Sequence, residues 1–196
     1  MAQTSTTLIS AKSHITSITG TDISLSATAG VYTISATSTV LTGAGKLAVG
    51  DLITVSGSAS NNSTFTVNTV VSTTELTVAE VITSENADGS STITLDHVGF
   101  VSDKAKGDGY YSQPDGVHTV AYQVANDFNA DATIKMQGTL ATTPTEDDWF
   151  DIANTTFTAD GSTVTSSYNF TGNYVWVRSK TQLLTAGTTN SILLNS

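Results

Sequence analysis

The stretch Asp51-Leu-Ile-Thr-Val-Ser-Gly57 decides the fold of this chain. Apolar and small polar residues alternate along it, and the same pattern returns in Asn61–Val67 and Glu75–Glu80. Alternation with a period of two places one set of side chains in a core and the other in water. Turn-forming Gly, Asn and Ser interrupt these runs. The three runs therefore predict short antiparallel strands in a small β module.

Similar signals continue along the rest of the chain. Asp22–Ser26 and Val31–Ser35 flank Ala29-Gly30, which predicts a hairpin. Only Thr145–Ile152 has a helical signal, because Thr145 can cap one helical turn before a strand. Short strands separated by frequent turns are typical of sandwiches and barrels. We therefore predict an all-β fold: an antiparallel β-sandwich, jelly-roll-like, with a second small β-barrel or sandwich module inserted near the N terminus.

Changes in composition predict the domain boundaries. Residues 1–21 are expected to form an arm and a strand that join the larger sandwich, and residues 22–99 to form the small barrel. Residues 100–116 are rich in Gly and charge, which predicts a connector, and residues 117–196 complete the larger sandwich. Two sequential domains are the alternative. Ser191–Asn195 predicts a last strand, at an exposed sheet edge that symmetric assembly would cover.

Charge and composition restrict the classes of function. The chain has 17 acidic and 7 basic residues and a net charge of −10. An acidic surface repels phosphates, so we expect no direct contact with nucleic acid. The plain alternative is that the acidity only keeps the protein soluble. The chain has no Cys, which excludes disulfides and thiolate chemistry. It shows neither a signal peptide nor a membrane-spanning apolar run, so we expect cytoplasmic synthesis and no membrane partner.

Motifs of catalysis and cofactor binding are missing from the sequence. It contains no G-x-S-x-G and no phosphate-binding P-loop. His14, His97 and His118 lie in separate segments without metal-site spacing, and a lone His on a strand is usually a packed or surface residue. The acidic cluster Glu146–Asp151 fits a solvated, capped turn better than a calcium site. We therefore predict a protein that is not an enzyme and uses no metal ion or cofactor.

Aromatic residues are the main candidates for contacts with a partner. Tyr174, Trp176 and Arg178 alternate along one predicted strand and therefore share one face. In Trp149-Phe150 the same alternation turns one ring outward, and an exposed ring is commonly part of an interface. Burial in the sandwich core is the plain alternative, and sugar stacking is another. The predicted aromatic contact residues are Tyr110 and Tyr111 in the connector, and Trp149, Phe150 and Trp176 in the larger sandwich.

The N-terminal arm Met1–Ala11 is polar and rich in Thr. We expect it to be flexible in a monomer. Such a segment can add a strand to the sheet of a neighbouring subunit, where main-chain hydrogen bonds hold it. The residues predicted to make this contact are Thr6, Thr7, Leu8 and Ile9.

Two parts of the chain resemble structural proteins of tailed bacteriophages. Leu47–Val67 with Thr74–Glu80 is similar to a small β module found in such proteins. Asp115–Val124, Ile134–Leu140 and Pro144–Ile152 resemble virion proteins of T4-like marine phages, notably cyanophages. The resemblance implies a non-enzymatic structural role, and it carries over no catalytic residue.

The resemblance also implies a place and partners for the protein. We expect a capsid decoration or cement protein on the exterior of the virion, made in the host cytoplasm and bound to the major capsid protein or other virion subunits. A homotrimer is favoured, because phage decorations and fibres are often trimeric. The alternative is a neck, tail or fibre appendage that binds host surface glycans through exposed rings. A bacterial extracellular adhesin is a third hypothesis, which the missing signal peptide opposes.

Overall fold

The computed structural model describes residues 5–111, 116–162 and 164–195. These residues form antiparallel strands and two short 3₁₀ turns, Asp108–Tyr111 and Glu146–Asp148, which confirms the all-β fold class. The second turn directly precedes a strand, as Thr145–Ile152 predicted. The strands are β1 (Ser5–Ile9), β2 (Lys12–Ser13), β3 (Ile18–Gly20), β4 (Ile23–Thr28), β5 (Val31–Ala36), β6 (Asp51–Ser56), β7 (Thr64–Ser72), β8 (Glu75–Val78), β9 (Ile93–Val101), β10 (Ala105–Lys106), β11 (Val117–Val124), β12 (Thr133–Thr139), β13 (Phe150–Asp151), β14 (Phe157–Thr158), β15 (Thr165–Thr171), β16 (Trp176–Gln182) and β17 (Thr188–Asn195).

The chain divides into two compact units. The first contains the residues up to His14 and those from Val101 onward, and the second is Ile15–Phe100. β3 pairs with β9 inside the second unit, so Ile18–Gly20 does not join the larger sandwich as expected for residues 1–21. Residues 100–111, the first part of the segment predicted as a connector, contain β10 and the first 3₁₀ turn.

The first unit is built from two antiparallel sheets. One sheet has the order β15–β11–β17–β1, with β2 also paired to β17, and in the other β12 pairs with β13, β14 and β16. Tyr122 of β11 connects the sheets, because its ring lies 6.4 Å from that of Phe157 on β14. Its hydroxyl donates a 2.8 Å hydrogen bond to the carbonyl of Thr155. This packing is that of a β-sandwich, and the jelly-roll connection order stays a prediction.

The last strand, β17, lies inside its sheet. β1 pairs along one side of it and β11 along the other. The prediction that Ser191–Asn195 forms an exposed edge was wrong, because the N-terminal strand Ser5–Ile9 covers it. Main-chain hydrogen bonds between these two distant segments make β1 the edge strand in place of β17, and sequence spacing alone does not specify such pairing.

The strands of the second unit share one core. Its seven strands have the order β3–β9–β6–β7–β8–β5–β4, and all seven contribute to a single buried cluster. Ile53, Phe65 and Leu76 lie at its centre, each no more than 3% exposed. All seven strands thus pack on one core, and the barrel form of this module stays a prediction. The alternation of Asp51–Ser56 places Ile53 and Val55 in this core.

Asp51 is the exception in that alternation, since it is fully buried. One of its carboxylate oxygens accepts the backbone N–H of Ala48 at 2.7 Å, and the other lies 3.4 Å from Nε2 of His97. His97 in turn accepts the N–H of Ile15 through Nδ1 at 3.2 Å. Buried polar groups need such partners to offset the loss of water. The Asp51–His97 pair therefore anchors β6 to β9 and to the first residue of the unit.

Threonine side chains hydrogen-bond to one another across the strands of the second unit. Thr54 Oγ1 lies 3.0 Å from that of Thr64, and Thr69 Oγ1 lies 2.6 Å from that of Thr77. Cross-strand pairs of this kind stabilise a sheet without charge. Some of the many Thr side chains therefore form hydroxyl pairs between neighbouring strands.

Candidate interaction surface

The outer face of the β12–β16 sheet gathers most of the basic residues. In β16, Trp176, Arg178 and Lys180 occupy alternate positions; Trp176 and Lys180 are half-buried, and Arg178 is buried, as are the three residues between and after them. Lys135 of β12 lies opposite Lys180, and Lys106 of β10 lies opposite Trp176. Directly opposed residues project from the same face of a sheet. We call this surface the basic–aromatic face and define it by Lys104, Lys106, Tyr110, Tyr111, Lys135, Trp149, Trp176, Arg178 and Lys180.

Aromatic rings and lysines are in direct contact on one side of this face. The Tyr110 ring lies 4.8 Å from that of Trp176 and 5.2 Å from that of Tyr111. Lys104 Nζ lies 4.6 Å from the centre of the Trp176 ring, and Lys106 Nζ lies 4.2 Å from the centre of the Tyr110 ring. Each such cation–π contact contributes about 0.5–1 kcal/mol at an exposed site. The rings therefore restrict where the two ammonium groups stand.

Arg178 is held by partners on three sides. Its Nη1 and Nη2 donate to the two carboxylate oxygens of Glu146 at 2.8 and 2.7 Å, and its Nε donates to Gln137 at 2.9 Å. Its guanidinium carbon also lies 4.3 Å from the centre of the Trp149 ring. A planar guanidinium bound at both ends and stacked on a ring has little freedom. Arg178 therefore fixes the centre of the basic–aromatic face.

The 3₁₀ turn that presents Glu146 is itself capped. The Asp148 carboxylate accepts hydrogen bonds from the backbone N–H of Thr145 at 2.7 Å and from its hydroxyl at 2.8 Å. These bonds hold the pKa of Asp148 below its usual value. Of the predicted acidic cluster, Asp148 serves the turn, whereas Glu146 and Asp151 bind cations of the same chain.

Lys180 and Lys135 differ in their electrostatic surroundings. Asp151 pairs with Lys135 and accepts a 2.9 Å hydrogen bond from Gln137. Burial raises the pKa of Asp151, but the bonds from Lys135 and Gln137 outweigh this and leave it below its usual value. Burial lowers the pKa of Lys180, and the positive charges of Arg178 and Lys135 lower it further. Lys180 is thus a half-buried cation beside two others.

The predicted aromatic contact residues lie mainly on this surface. Tyr110 and Tyr111 are 42% and 56% exposed, whereas Trp149 and Trp176 are half-buried beneath their cations. Phe150, on β13 outside the basic–aromatic face, is 45% exposed. The structure therefore brings four of the five predicted rings together and leaves the fifth nearby on the same sheet.

Tyr174 does not continue the alternation of β16. The strand begins only at Trp176, and the Tyr174 hydroxyl donates back to the carbonyl of Thr171 at 3.3 Å. Its ring lies against Gly138 of β12, where a Cβ atom would stand 2.6 Å from Cδ1 of the ring. The predicted common face of Tyr174, Trp176 and Arg178 was therefore wrong for Tyr174, because its ring fills the space that a glycine leaves open.

The N-terminal contact residues are held in the first unit. Thr6 and Thr7 are exposed, Leu8 is half-buried, and Ile9 is buried. The prediction of a flexible arm was wrong for Ser5–Ile9, because this segment pairs with β17 of its own chain. Residues 1–4 of the predicted arm and residues 112–115 of the predicted connector lie outside the described residues.

Sequence reasoning missed the lysines of the basic–aromatic face. The alternation of Trp176, Arg178 and Lys180 was a usable signal within one strand. Lys106 and Lys135 join them only through the pairing of β10 and β12 with β16. Strand partners and register depend on long-range packing, so no local pattern could have assembled this set.

The histidines are engaged in packing. The buried His118 ring stacks on Phe170 with centres 4.9 Å apart, and its Nε2 lies 3.4 Å from a carboxylate oxygen of Asp108. His14 uses its backbone N–H in a 2.8 Å bond to the carbonyl of Gly187. Within the described ranges, no group of three or more His, Asp or Glu side chains has the arrangement of a metal site.

Two cavities of the first unit lie away from these charges. One, of about 460 Å³, is at the end of β11 and includes Gln123 and Asn190. The other, of about 290 Å³, is lined by Phe170, Tyr174 and Asn154 among others. Neither lining contains a charged residue among those described. The basic residues of the face thus do not line either of these two cavities.

Comparisons with known proteins assign no family to the chain. No protein-family model matches it, and no curated protein matches it either. Among the residues that the structure describes, no helix has both the length and the apolar character needed to cross a membrane. The basic–aromatic face is therefore the feature on which a functional assignment can rest.

Proposed function

We propose that this chain is a non-enzymatic structural component of a bacteriophage particle, which decorates or cements the capsid exterior. The observation that carries the proposal is the basic–aromatic face, a fixed and side-chain-rich surface on an otherwise acidic chain. The sequence resemblance to virion proteins of marine phages supports the particle as its location. The partners would be the major capsid protein or other virion subunits, and a homotrimer remains the favoured assembly.

The composition of the face supports a role in protein–protein contact. Tyr, Trp and Arg are enriched at interfaces and supply most of the residues whose truncation costs the most binding energy. Here two Tyr, two Trp and one Arg stand on adjoining strands and turns of one unit. A surface that is already ordered loses less side-chain entropy when it binds. The ion pair of Arg178 and Glu146 and the cation–π contacts supply that order.

Attachment to particles can be tested directly. We expect the chain to be present in purified particles of the phage that encodes it, and recombinant protein to restore occupancy on particles that lack it. Replacing Lys104, Lys106 and Tyr111 together by Ala should reduce occupancy by about tenfold, since several exposed contacts are lost at once. The matched control is Lys12→Ala with Lys46→Ala, which removes the only two basic residues outside the face.

The outcomes of this experiment separate clearly. Full occupancy by the control variant and low occupancy by the triple variant, with unchanged circular dichroism, would support the proposal. Absence of the chain from purified particles would overturn it. Equal occupancy by both variants would show that the basic–aromatic face is not the attachment surface.

A second candidate is a neck, tail or fibre appendage that binds host glycans. The exposure of Tyr111 and Phe150 favours it, because sugars stack on aromatic rings, although Lys106 Nζ lies 5.5 Å from the centre of the Tyr111 ring. The Trp176 ring is a poorer platform, since Lys104 and Tyr110 already contact it. A glycan array with Tyr111→Ala and Phe150→Ala variants tests this candidate. Saturable binding that both substitutions weaken would support it, and silence across the array would reject it.

A further inference from the structure

Lys104 and Lys106 hold their charges without a carboxylate partner in the described part of the chain. Their ammonium groups lie over the rings of Trp176 and Tyr110 instead. A ring face stabilises a cation only partly, and it leaves the outer N–H groups of the ammonium available to an anion. These two lysines are therefore open to a bound carboxylate, unlike Arg178, which Glu146 already occupies.

Lys180, at the other end of β16, is a further cation that an anion can pair with. No ion pair with a carboxylate is formed by its Nζ within the described residues, although Asp151 and Glu146 act on it at longer range. Its lowered pKa reflects burial and the nearby charges of Arg178 and Lys135. An added carboxylate would offset the repulsion from Arg178 and Lys135.

The spacing of these cations fits an extended chain. Trp176, beneath Lys104, and Lys180 are four residues apart on one strand, which is about 13 Å at roughly 3.3 Å per residue. An extended peptide has the same rise, so carboxylates at its positions i and i+4 would stand above the two ends of the face. Arg178 lies between them in the strand; its side chain is buried, with its guanidinium carbon 4.3 Å from the centre of the half-buried Trp149 ring.

We propose that the basic–aromatic face binds an acidic, extended segment of a partner protein, whose carboxylates pair with Lys104, Lys106 and Lys180. The charge balance of the chain favours this occupant. Five of the seven basic residues lie on the face, so the rest of the chain carries only two bases. A long polyanion such as DNA, with one charge per about 1.7 Å of duplex, would extend beyond the face onto acidic surface. A short acidic segment would contact only the cations of the face.

This inference rests on the proposed function, because it names the chemistry of the partner that the face would hold. The test uses the full chain and a fluorescently labelled dodecapeptide of alternating Glu and Ser. We expect saturable binding by anisotropy that weakens steeply with added NaCl, since exposed charge pairs are screened. Lys104→Ala with Lys106→Ala, and separately Lys180→Met, should each weaken binding about fivefold. The control Lys12→Ala with Lys46→Ala should bind as the unchanged protein does.

Each outcome bears on one of the two proposals. Equal binding by all variants, or no binding by the unchanged protein, would overturn the acidic-segment inference. Tighter binding of an acidic oligosaccharide or of single-stranded DNA than of the peptide would also overturn it, since the partner would then not be a protein segment. Lys180→Met keeps the apolar stem, so circular dichroism should show an unaltered fold. If the peptide binds but the face variants retain full particle occupancy, the inference stands and the proposed attachment fails.

Discussion

At the scale of single residues, the molecule uses hydrogen bonds where other proteins use ion pairs. Its 17 acidic residues cannot all find cations, since only seven basic residues are present. Asp22 instead accepts bonds from Ser38 and Thr39, and Glu85 accepts bonds from Ser58 and Ala59. Hydroxyl and backbone donors therefore stabilise the loops, and the scarce cations remain available for one surface.

Among the basic residues, replacement of Arg178 should lower the free energy of unfolding the most. Its side chain is 6% exposed and its partner Glu146 is 27% exposed, so Arg178→Ala leaves a partly buried carboxylate without its cation. We expect a loss of about 3 kcal/mol in the free energy of unfolding of the first unit. Urea denaturation followed by tryptophan fluorescence measures this, because both tryptophans, Trp149 and Trp176, lie in that unit.

The matched control for Arg178→Ala is Lys135→Ala. The pair of Lys135 with Asp151 is more exposed, with side chains 19% and 52% accessible, so its loss should cost less than about 1 kcal/mol. Equal destabilisation by the two substitutions would contradict the central role assigned to Arg178.

At the scale of elements, most strands follow local signals, whereas their neighbours do not. The Ala29-Gly30 turn joins β4 to β5 as the sequence predicted. β6 begins at Asp51 and ends at Ser56, within the alternating stretch Asp51–Gly57. In contrast, the interior position of β17 depends on β1, which is at the other end of the chain. Local sequence patterns thus predict where strands lie, whereas the pairing of distant segments determines which strands are neighbours in a sheet.

The β4–β5 hairpin offers a prediction at this scale. Ala29 and Gly30 have φ angles of +51° and +79°, and an L-residue with a Cβ is unfavourable in that region. Ala29→Asn should therefore stabilise the second unit by about 0.5 kcal/mol, since Asn tolerates a positive φ. Gly30→Ala should destabilise it. Thermal denaturation of both variants measures the two shifts, and a lower melting temperature for Ala29→Asn would contradict the assigned turn geometry.

At the scale of the whole molecule, the two units carry charge differently. All five lysines and arginines between residues 101 and 196 belong to the basic–aromatic face, while Lys46 is the single basic residue of Ile15–Phe100. A chain with a net charge of −10 resists unspecific association with its own copies. A local cationic surface on such a chain is therefore selective, because it attracts acidic partners only at short range.

The acid stability of the molecule follows from its hydrogen-bonded carboxylates. The hydroxyl of Ser58 and then the N–H of Ala59 lower the pKa of Glu85, and bonds from Thr39 and Ser38 lower that of Asp22. A carboxylate whose pKa is lower in the folded state contributes stability above its unfolded pKa of about 4. That contribution is lost as the pH falls through the lowered values.

We therefore expect the urea midpoint of the second unit to be constant above about pH 5 and to fall between about pH 4 and pH 2. Glu85→Gln should lower the midpoint at neutral pH and make the fall at acid pH shallower. Hydrogen exchange at amides of the second unit separates its unfolding from that of the first. A midpoint that stays constant down to about pH 2 would contradict this assignment of the carboxylates.

By itself, the sequence determined the all-β class, the position of most strands and the single helical turn before Phe150. These are local properties, because side-chain alternation and turn residues act over a few positions. It also determined which rings are candidates for contact. The tertiary structure alone decided that Lys106, Lys135 and Lys180 stand on one face and that the N-terminal strand covers β17. The reason is physical: register and strand order are set by main-chain pairing and core packing between segments far apart in the chain.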